Sequence, residues 1–438
     1  MTLIELLQEL ILDFQRQQLP TGVPRQLAYE AVPGKALVCI GPRRAGKSTL
    51  LYQIVERLKA GGVKAENILS VNFFDDRLEA VRRGNLAAVT EAYYGLFPEK
   101  KGRERVHCFL DEVQMAVGWE RFVDRLLRTE KMDVYLTGSS SRLLAREVAT
   151  EMRGRSLAWE LFPFSFREFL AARGVAPDVR GSGARLLVAK TFADFWQTGG
   201  FPEALAVSAR LRPMLHQEYF QTMLFRDVVE RNDALHPQAV RDLAYRLINN
   251  VAALHSVNGL TNHLKSLGHK VSKAFVGDCL AWFEDAYCLF SVRLYDASVH
   301  RQQVNPKKIY GVDHALVQSV SSGLLVNRGH LLENLVFLHL RRQTPRLHYY
   351  RTRSGKEVDF AWLGSDGNLR LAQVADQMPE GSPARDRELG ALAEAMAEQP
   401  DSRPVVVTRD ESGSAELGGR AVRLVPIWRF LIEGDKPV

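Results

Sequence analysis

Residues 36–48 read Ala36-Leu37-Val38-Cys39-Ile40-Gly41-Pro42-Arg43-Arg44-Ala45-Gly46-Lys47-Ser48. Five apolar residues run into a loop that fits G-x-x-x-x-G-K-[ST] in full. A short, uniformly apolar run predicts a strand buried on both faces. A helical stretch starts near Lys47. Strand, glycine loop and helix in that order form a device for holding phosphate. Gly41 and Gly46 let the backbone turn so that successive N–H groups face phosphate oxygens. The helix N-terminus adds a favourable dipole. Lys47 offers a point charge to the β- and γ-phosphates, and Ser48 a hydroxyl ligand to Mg²⁺. The expected nucleotide-binding segment is therefore Gly41, Pro42, Arg43, Arg44, Ala45, Gly46, Lys47, Ser48 and Thr49.

Further apolar runs follow at 68–74, 106–110, 134–136 and 156–161, with helical stretches between most of them. That alternation predicts a parallel sheet covered on both faces. The run at 106–110 delivers Asp111 and Glu112 at its C-terminal end, where α/β sheets place ligands. Asp111 is expected to join Ser48 in the Mg²⁺ shell, and Glu112 to polarise the attacking water as general base. The run at 134–136 leads into Thr137-Gly138-Ser139-Ser140-Ser141. Ser139, or Ser140 beside it, is the expected hydrogen-bonding partner of the γ-phosphate or lytic water; helix capping by these serines is compatible with that role. Arg153 and Arg155 straddle Gly154 just before the fifth strand. One of them is the candidate arginine finger, acting on a neighbouring subunit.

The chain has 438 residues, 46% hydrophobic and 25% charged, which is globular composition and excludes general disorder. Lysine and arginine exceed the acids to give +7, a balance that permits a polyanionic partner. Residues 3–14 put Leu3, Leu6, Leu7, Leu10, Ile11 and Phe14 on one helical face. Glu5, Glu9 and Asp13 among those leucines argue against a signal peptide. No apolar run reaches the ~18 residues of a membrane span. Cys39, Cys108, Cys279 and Cys288 form no CxxC pair and read as buried thiols of a cytoplasmic protein, with neither zinc nor disulfides.

The series GPRRAGKST, NFFDD, FLDEVQ, LTGSSSRLL, RGRS, LFPFSFREFL, GGFPEAL and YYRTRSGKEVDF resembles a large prokaryotic family of orphan AAA+-type P-loop ATPases that share a C-terminal domain of unknown function. The likeness runs from about residue 20 to Phe430. It implies a parallel sheet in which the Asp111 strand is not adjacent to the loop-bearing strand. It also implies ATP as the nucleotide, a helical lid, a winged helix and a C-terminal restriction-endonuclease-like α/β domain. The expected organisation is an ATPase core at 1–165, a lid at 166–250, a winged helix-turn-helix at 251–300 and a nuclease-like domain at 301–438.

Residues 255–295 resemble a winged helix-turn-helix. Leu260, Leu264 and Leu267 are expected to pack the second helix, with Gly268 in the turn and residues 272–283 as the recognition helix. Lys265, His269, Lys270 and Lys273 supply positive charge for duplex phosphates; the other reading is a lid or subunit-packing element. Residues 349–356 combine Tyr349 and Tyr350 with Arg351, Arg353 and Lys356, either a nucleic-acid contact or a solvated hairpin. Arg226 and Asp227 are spaced to pair with Glu230 and Arg231 along a helix; the other reading sends an arginine to the nucleotide or a neighbouring subunit. Glu333, Asp359 and Gln373 resemble the layout of a PD-(D/E)xK nuclease. Gln373 stands where that pattern has its second carboxylate, and Ala375 where it has its lysine, so nuclease chemistry is not expected.

These readings describe an α/β, Mg²⁺-dependent, ATP-hydrolysing homo-oligomer, up to a hexameric ring, that remodels, moves along or processes DNA. The alternatives are a nucleotide-gated switch with protein partners and a binding module with a vestigial loop.

Overall fold

The computed structural model describes residues 1–138, 154–321 and 327–434. The chain divides into two units, Met1–Phe162 and Pro163–Val438. The first contains a five-stranded sheet of β1 (Ala36–Ile40), β2 (Ile68–Asn72), β3 (Val106–Asp111), β4 (Met132–Thr137) and β5 (Ser156–Glu160), in the order β2-β3-β4-β1-β5. Every pairing is parallel. β1 and β3 are buried at every position, as strands covered on both faces must be. β4 separates the strand that leads into the glycine loop from the strand that ends in Asp111, the arrangement the resemblance implies. β2 stops two residues short of the expected run because the Asn72 side chain accepts from Phe74 N at 2.9 Å and turns the chain.

The N-terminal helix Leu3–Arg16 opens on a capping box in which Thr2 and Glu5 satisfy each other's backbone N–H groups. It buries Leu7 and Ile11, and Gln15 donates to the Ile68 carbonyl at 2.8 Å, which ties the helix to β2. Leu37, Cys39, Leu50, Ile54, Phe109 and Tyr135 form the core between β1, β3, β4 and the helix Lys47–Ala60.

The second unit is helical to residue 248 and then builds a nine-stranded sheet. Its strands are β6 (Leu254–His255), β7 (Leu289–Leu294), β8 (Lys307–Gly311), β9 (His348–Arg351), β10 (Glu357–Leu363), β11 (Leu369–Ala375), β12 (Arg403–Thr408), β13 (Gly413–Leu417) and β14 (Arg420–Pro426). Their order is β13-β14-β12-β11-β10-β9-β7-β8-β6. This sheet runs through both segments that sequence separates at residue 300, because β7 pairs with β9 in parallel through Arg293 and His348. β8, which sequence reading misses, is the antiparallel partner of β7. Its opening Lys307-Lys308 reads as polar, yet the Lys308 side chain is buried. After Gly181 the chain enters the helix Ser182–Thr198. Met223–Glu230, carrying Arg226, is a π-helix, not an α-helical continuation.

Helices Val257–Ser266 and Lys273–Asp285 flank the turn at Gly268. Ser272 caps the second helix by accepting from Phe275 N. Leu260 and Leu264 are buried as expected, but Leu267 is 52% exposed because it lies past the helix end, where the chain turns away. All four cysteines are free and buried, and burial pushes each thiol up to about 12. Among the described residues no helix is long and apolar enough to cross a membrane.

Candidate functional site

The glycine loop leaves β1 and enters the helix Lys47–Ala60 with three residues at positive φ: Gly41 (146°), Arg44 (63°) and Gly46 (93°). A Cβ on Gly41 would stand 2.1 Å from the Leu161 carbonyl oxygen, so no other residue fits there. Lys47 is 7% exposed, and its Nζ donates to the carbonyls of Gly41 and Pro42, each at 3.0 Å. The ammonium is thus folded back over the concavity of its own loop. Arg43 and Arg44 are exposed on the loop, whereas Ser48 and Thr49 are half-buried at the helix start.

Arg25 braces this loop from the preceding segment. Its guanidinium donates to the Ala45 and Phe162 carbonyls, both at 2.6 Å. Gln53 holds the same segment through the carbonyls of Thr21 and Val23. Sequence reading passed over Arg25 because nothing local marks it; the contacts span 20 and 137 residues.

β3 carries Asp111 to the same edge of the sheet. Glu112 follows with φ 54°, a left-handed conformation uncommon for a side-chain-bearing residue, which marks strain of the kind stored at functional positions. Thr137, fully buried at the end of β4, links the two acids: its hydroxyl donates to Asp111 Oδ1 and accepts from Glu112 N at 3.2 Å. Gln114 donates to Glu112 Oε2 at 2.6 Å and so fixes the carboxylate. The signal for Thr137 was present in the sequence, since a hydroxyl ends the strand next to the Asp111 strand. The sequence reading favoured Ser139 and Ser140, further along the chain.

Ser139, Ser140 and Arg153 lie outside the described residues. Arg155 precedes β5, and its carbonyl accepts from Ala36 N at 2.8 Å, at the start of β1. It therefore sits at the sheet edge opposite to the glycine loop, a five-residue strand away, or about 16 Å at 3.3 Å per residue. Its guanidinium pairs with Asp124 at 3.0 Å and remains 39% exposed.

In the second unit Glu333, Asp359 and Gln373 do come together, in a cavity of about 840 Å³. A fourth residue, Lys308 from β8, joins them. Its Nζ lies 2.8 Å from Glu333 Oε1, 2.6 Å from Glu357 Oε1 and 2.8 Å from Asp359 Oδ1. Burial works against the ammonium, but Asp359 and Glu333 outweigh it and hold Lys308 well above its usual range. Burial, with Asp359 nearby, pushes Glu333 up to about 8.

Lys265, Lys270 and Lys273 are exposed around the turn between their two helices, while His269 is tied to Asp242 at 2.7 Å. Arg351, Arg353 and Lys356 are exposed on the hairpin, but its tip is clasped from the helix Pro383–Glu398. Glu398 accepts from Arg353 N, Glu394 accepts from Ser354, and Lys356 lies 3.3 Å from Glu394. Those hydrogen bonds, from Ser354 first, hold the Glu394 carboxyl down at about 2. Tyr349 and Tyr350 are buried, with hydroxyls bound to the Pro306 carbonyl and Glu398, so both rings belong to the core and the exposed part of the segment is its cations. Arg226 pairs with Glu230 at 2.8 Å.

A parallel α/β unit with a glycine phosphate loop and an acidic pair on a non-adjacent strand defines a P-loop nucleotide-binding class. Residues 33–170 match the AAA domain, residues 189–325 a domain of unknown function (DUF8612), and residues 328–430 another (DUF4143). An uncharacterized protein of Methanocaldococcus jannaschii is 29% identical over 97% of this chain and 95% of its own length. One of Haemophilus influenzae is 28% identical over 80% and 84%. Among solved structures, a Walker-type ATPase of Pyrococcus abyssi aligns at 13% identity over 66% of this chain and 91% of that one, with a TM-score of 0.41. The Aeropyrum pernix ORC1 protein in complex with DNA aligns at 14% identity over 74% and 92%, with a TM-score of 0.30. The chain is thus similar to an AAA domain over 33–170 and to two domains of unknown function after it.

Proposed function

We propose that the first unit binds ATP and hydrolyses it. The observation that carries this reading is the meeting, at one sheet edge, of the Lys47 loop with Asp111 and Glu112 held by Thr137. Loop amides and Lys47 take the phosphates. The hydroxyl of Ser48 and the buried carboxylate of Asp111 are hard oxygen donors that fit Mg²⁺, which supplies charge neutralisation on the phosphates. Glu112 orients the attacking water and accepts its proton. Ser139 or Ser140 hydrogen-bonds the γ-phosphate.

Assembly into a homo-oligomer, up to a hexameric ring, goes with this reading. Arg155 stands at the edge away from its own loop, which supports service to a neighbouring copy, with Arg153 as the other candidate. DNA is the proposed partner, met through Lys265, Lys270 and Lys273 of a winged helix-turn-helix and through Arg351, Arg353 and Lys356. The cytoplasm is the proposed location.

A second reading is a nucleotide-gated switch. The Gln114 contact favours it, because it engages the Glu112 carboxylate before any water does. Turnover separates the two: a motor is stimulated by one form of DNA, whereas a switch turns over slowly whatever DNA is added.

A further inference from the structure

The nuclease layout that the C-terminal segment resembles calls for a divalent ion held by carboxylates, and the cavity around Asp359 does not fit one. Three carboxylate oxygens from two elements, the helix Arg328–Arg341 and β10, converge on a single point, and Lys308 Nζ is there. Two of these carboxylates accept further bonds. Glu333 Oε1 accepts a second bond from the Tyr310 hydroxyl at 2.6 Å, and Asp359 Oδ2 accepts from Val374 N at 2.9 Å. An ion bridging Glu333 and Asp359 at the ~2.1 Å typical of magnesium–oxygen contacts would occupy the space of the ammonium itself. Among the described residues, no set of three or more His, Cys, Asp or Glu side chains is arranged to hold a metal ion.

One acceptor in the cavity is nevertheless left unused. Gln373 is 3% exposed and lines the cavity; its Nε2 donates to Glu388, while its Oε1 is buried with no hydrogen-bond partner. A buried carbonyl oxygen left without a donor costs free energy unless something else compensates.

We propose that Lys308 is the resident cation of this cavity: its ammonium stands where a divalent ion would, the wild-type chain binds no divalent ion there, and removing the ammonium uncovers a divalent-cation site formed by Glu333, Asp359 and the Gln373 carbonyl. With a neutral side chain at 308, Glu333 and Asp359 would face one another with only a proton or an added cation to neutralise them. The same strand, β8, that supplies Lys308 thereby also fastens itself to β10 and to the helix Arg328–Arg341.

The test is titration of the full chain with MnCl₂ without nucleotide, read by the electron paramagnetic resonance signal of free Mn²⁺. Wild type, Lys308→Met, Asp359→Asn and Lys308→Met with Asp359→Asn are compared, so that binding at the glycine loop is common to all four. We expect no wild-type site tighter than about 1 mM that Asp359→Asn removes. Lys308→Met should gain one site, at least ~10-fold tighter, that the double variant loses. In the same series Mn²⁺ should raise the melting temperature of Lys308→Met alone. If Lys308→Met does not fold, Lys308→Gln, which keeps a donor to the carboxylates, takes its place. A wild-type Mn²⁺ site lost in Asp359→Asn overturns the proposal, as does a folded 308 variant that gains none. Mn²⁺-dependent DNA cleavage by wild type, lost in Asp359→Asn, overturns it as well. None of these outcomes depends on the nucleotide site.

Discussion

At the residue scale the account divides labour among four side chains. On the proposed reading Lys47 meets phosphate, so Lys47→Ala should abolish nucleotide binding or nearly so, as read by equilibrium binding of a fluorescent ATP analogue. On the same reading Glu112 acts only on water. Glu112→Gln should keep that binding while hydrolysis falls by about 10²- to 10⁴-fold, the usual share of a general base. Equal loss of binding in both variants would contradict the division. Thr137 holds Asp111 and the Glu112 backbone in place. Thr137→Val removes the hydroxyl at constant volume. It should lower kcat by ~10- to 100-fold and weaken the dependence on Mg²⁺ concentration, as loss of a partner to a ligating carboxylate does. An unchanged Mg²⁺ titration would remove Thr137 from the site.

At the scale of elements, the glycine loop depends on one close approach. The Gly41 Cα faces the Leu161 carbonyl at the end of β5, so Gly41→Ala must displace either the loop or that strand. It should weaken nucleotide binding and lower the melting temperature together, whereas Lys47→Ala should affect binding alone. The loop was legible in sequence because strand, glycines, lysine and helix are contiguous. β1, β3 and the Asp111-Glu112 pair were legible for the same reason. Arg25 and Lys308 were not, because each acts on residues distant in the chain: Lys308 meets partners 25 and 51 residues away. β8 was hidden because burial of a lysine at its second position contradicts the apolar signature of a covered strand. In the 349–356 hairpin the cations stay exposed while both tyrosines are buried, a division that residue types alone do not give. For the helix-turn-helix, replacing Lys265, Lys270 and Lys273 together by Glu should weaken duplex binding uniformly across sequences and flatten its salt dependence. No change in either would leave this element as a packing module.

At the scale of the whole molecule, the second unit buries neutral histidines. His216 and His314 are almost wholly inaccessible, and burial, partly offset by Asp313, holds both below the usual 6.5. Below that value the unfolded chain takes up protons that the folded unit refuses. Stability should therefore be fully present above about pH 6.5 and fall as pH drops through it, by up to about 1.4 kcal/mol per pH unit for each such histidine. Thermal melting at a series of pH values checks the sign; a melting temperature that rises on acidification would contradict it. The central claim, that this molecule is an ATP-hydrolysing machine acting on DNA, is tested most directly by ATP turnover. The purified chain is assayed with Mg²⁺, alone and with duplex, single-stranded or branched DNA, beside Glu112→Gln. The account predicts turnover that Glu112→Gln lacks although it binds ATP, and a several-fold rise with one form of DNA. Wild-type turnover no greater than that of Glu112→Gln would contradict it.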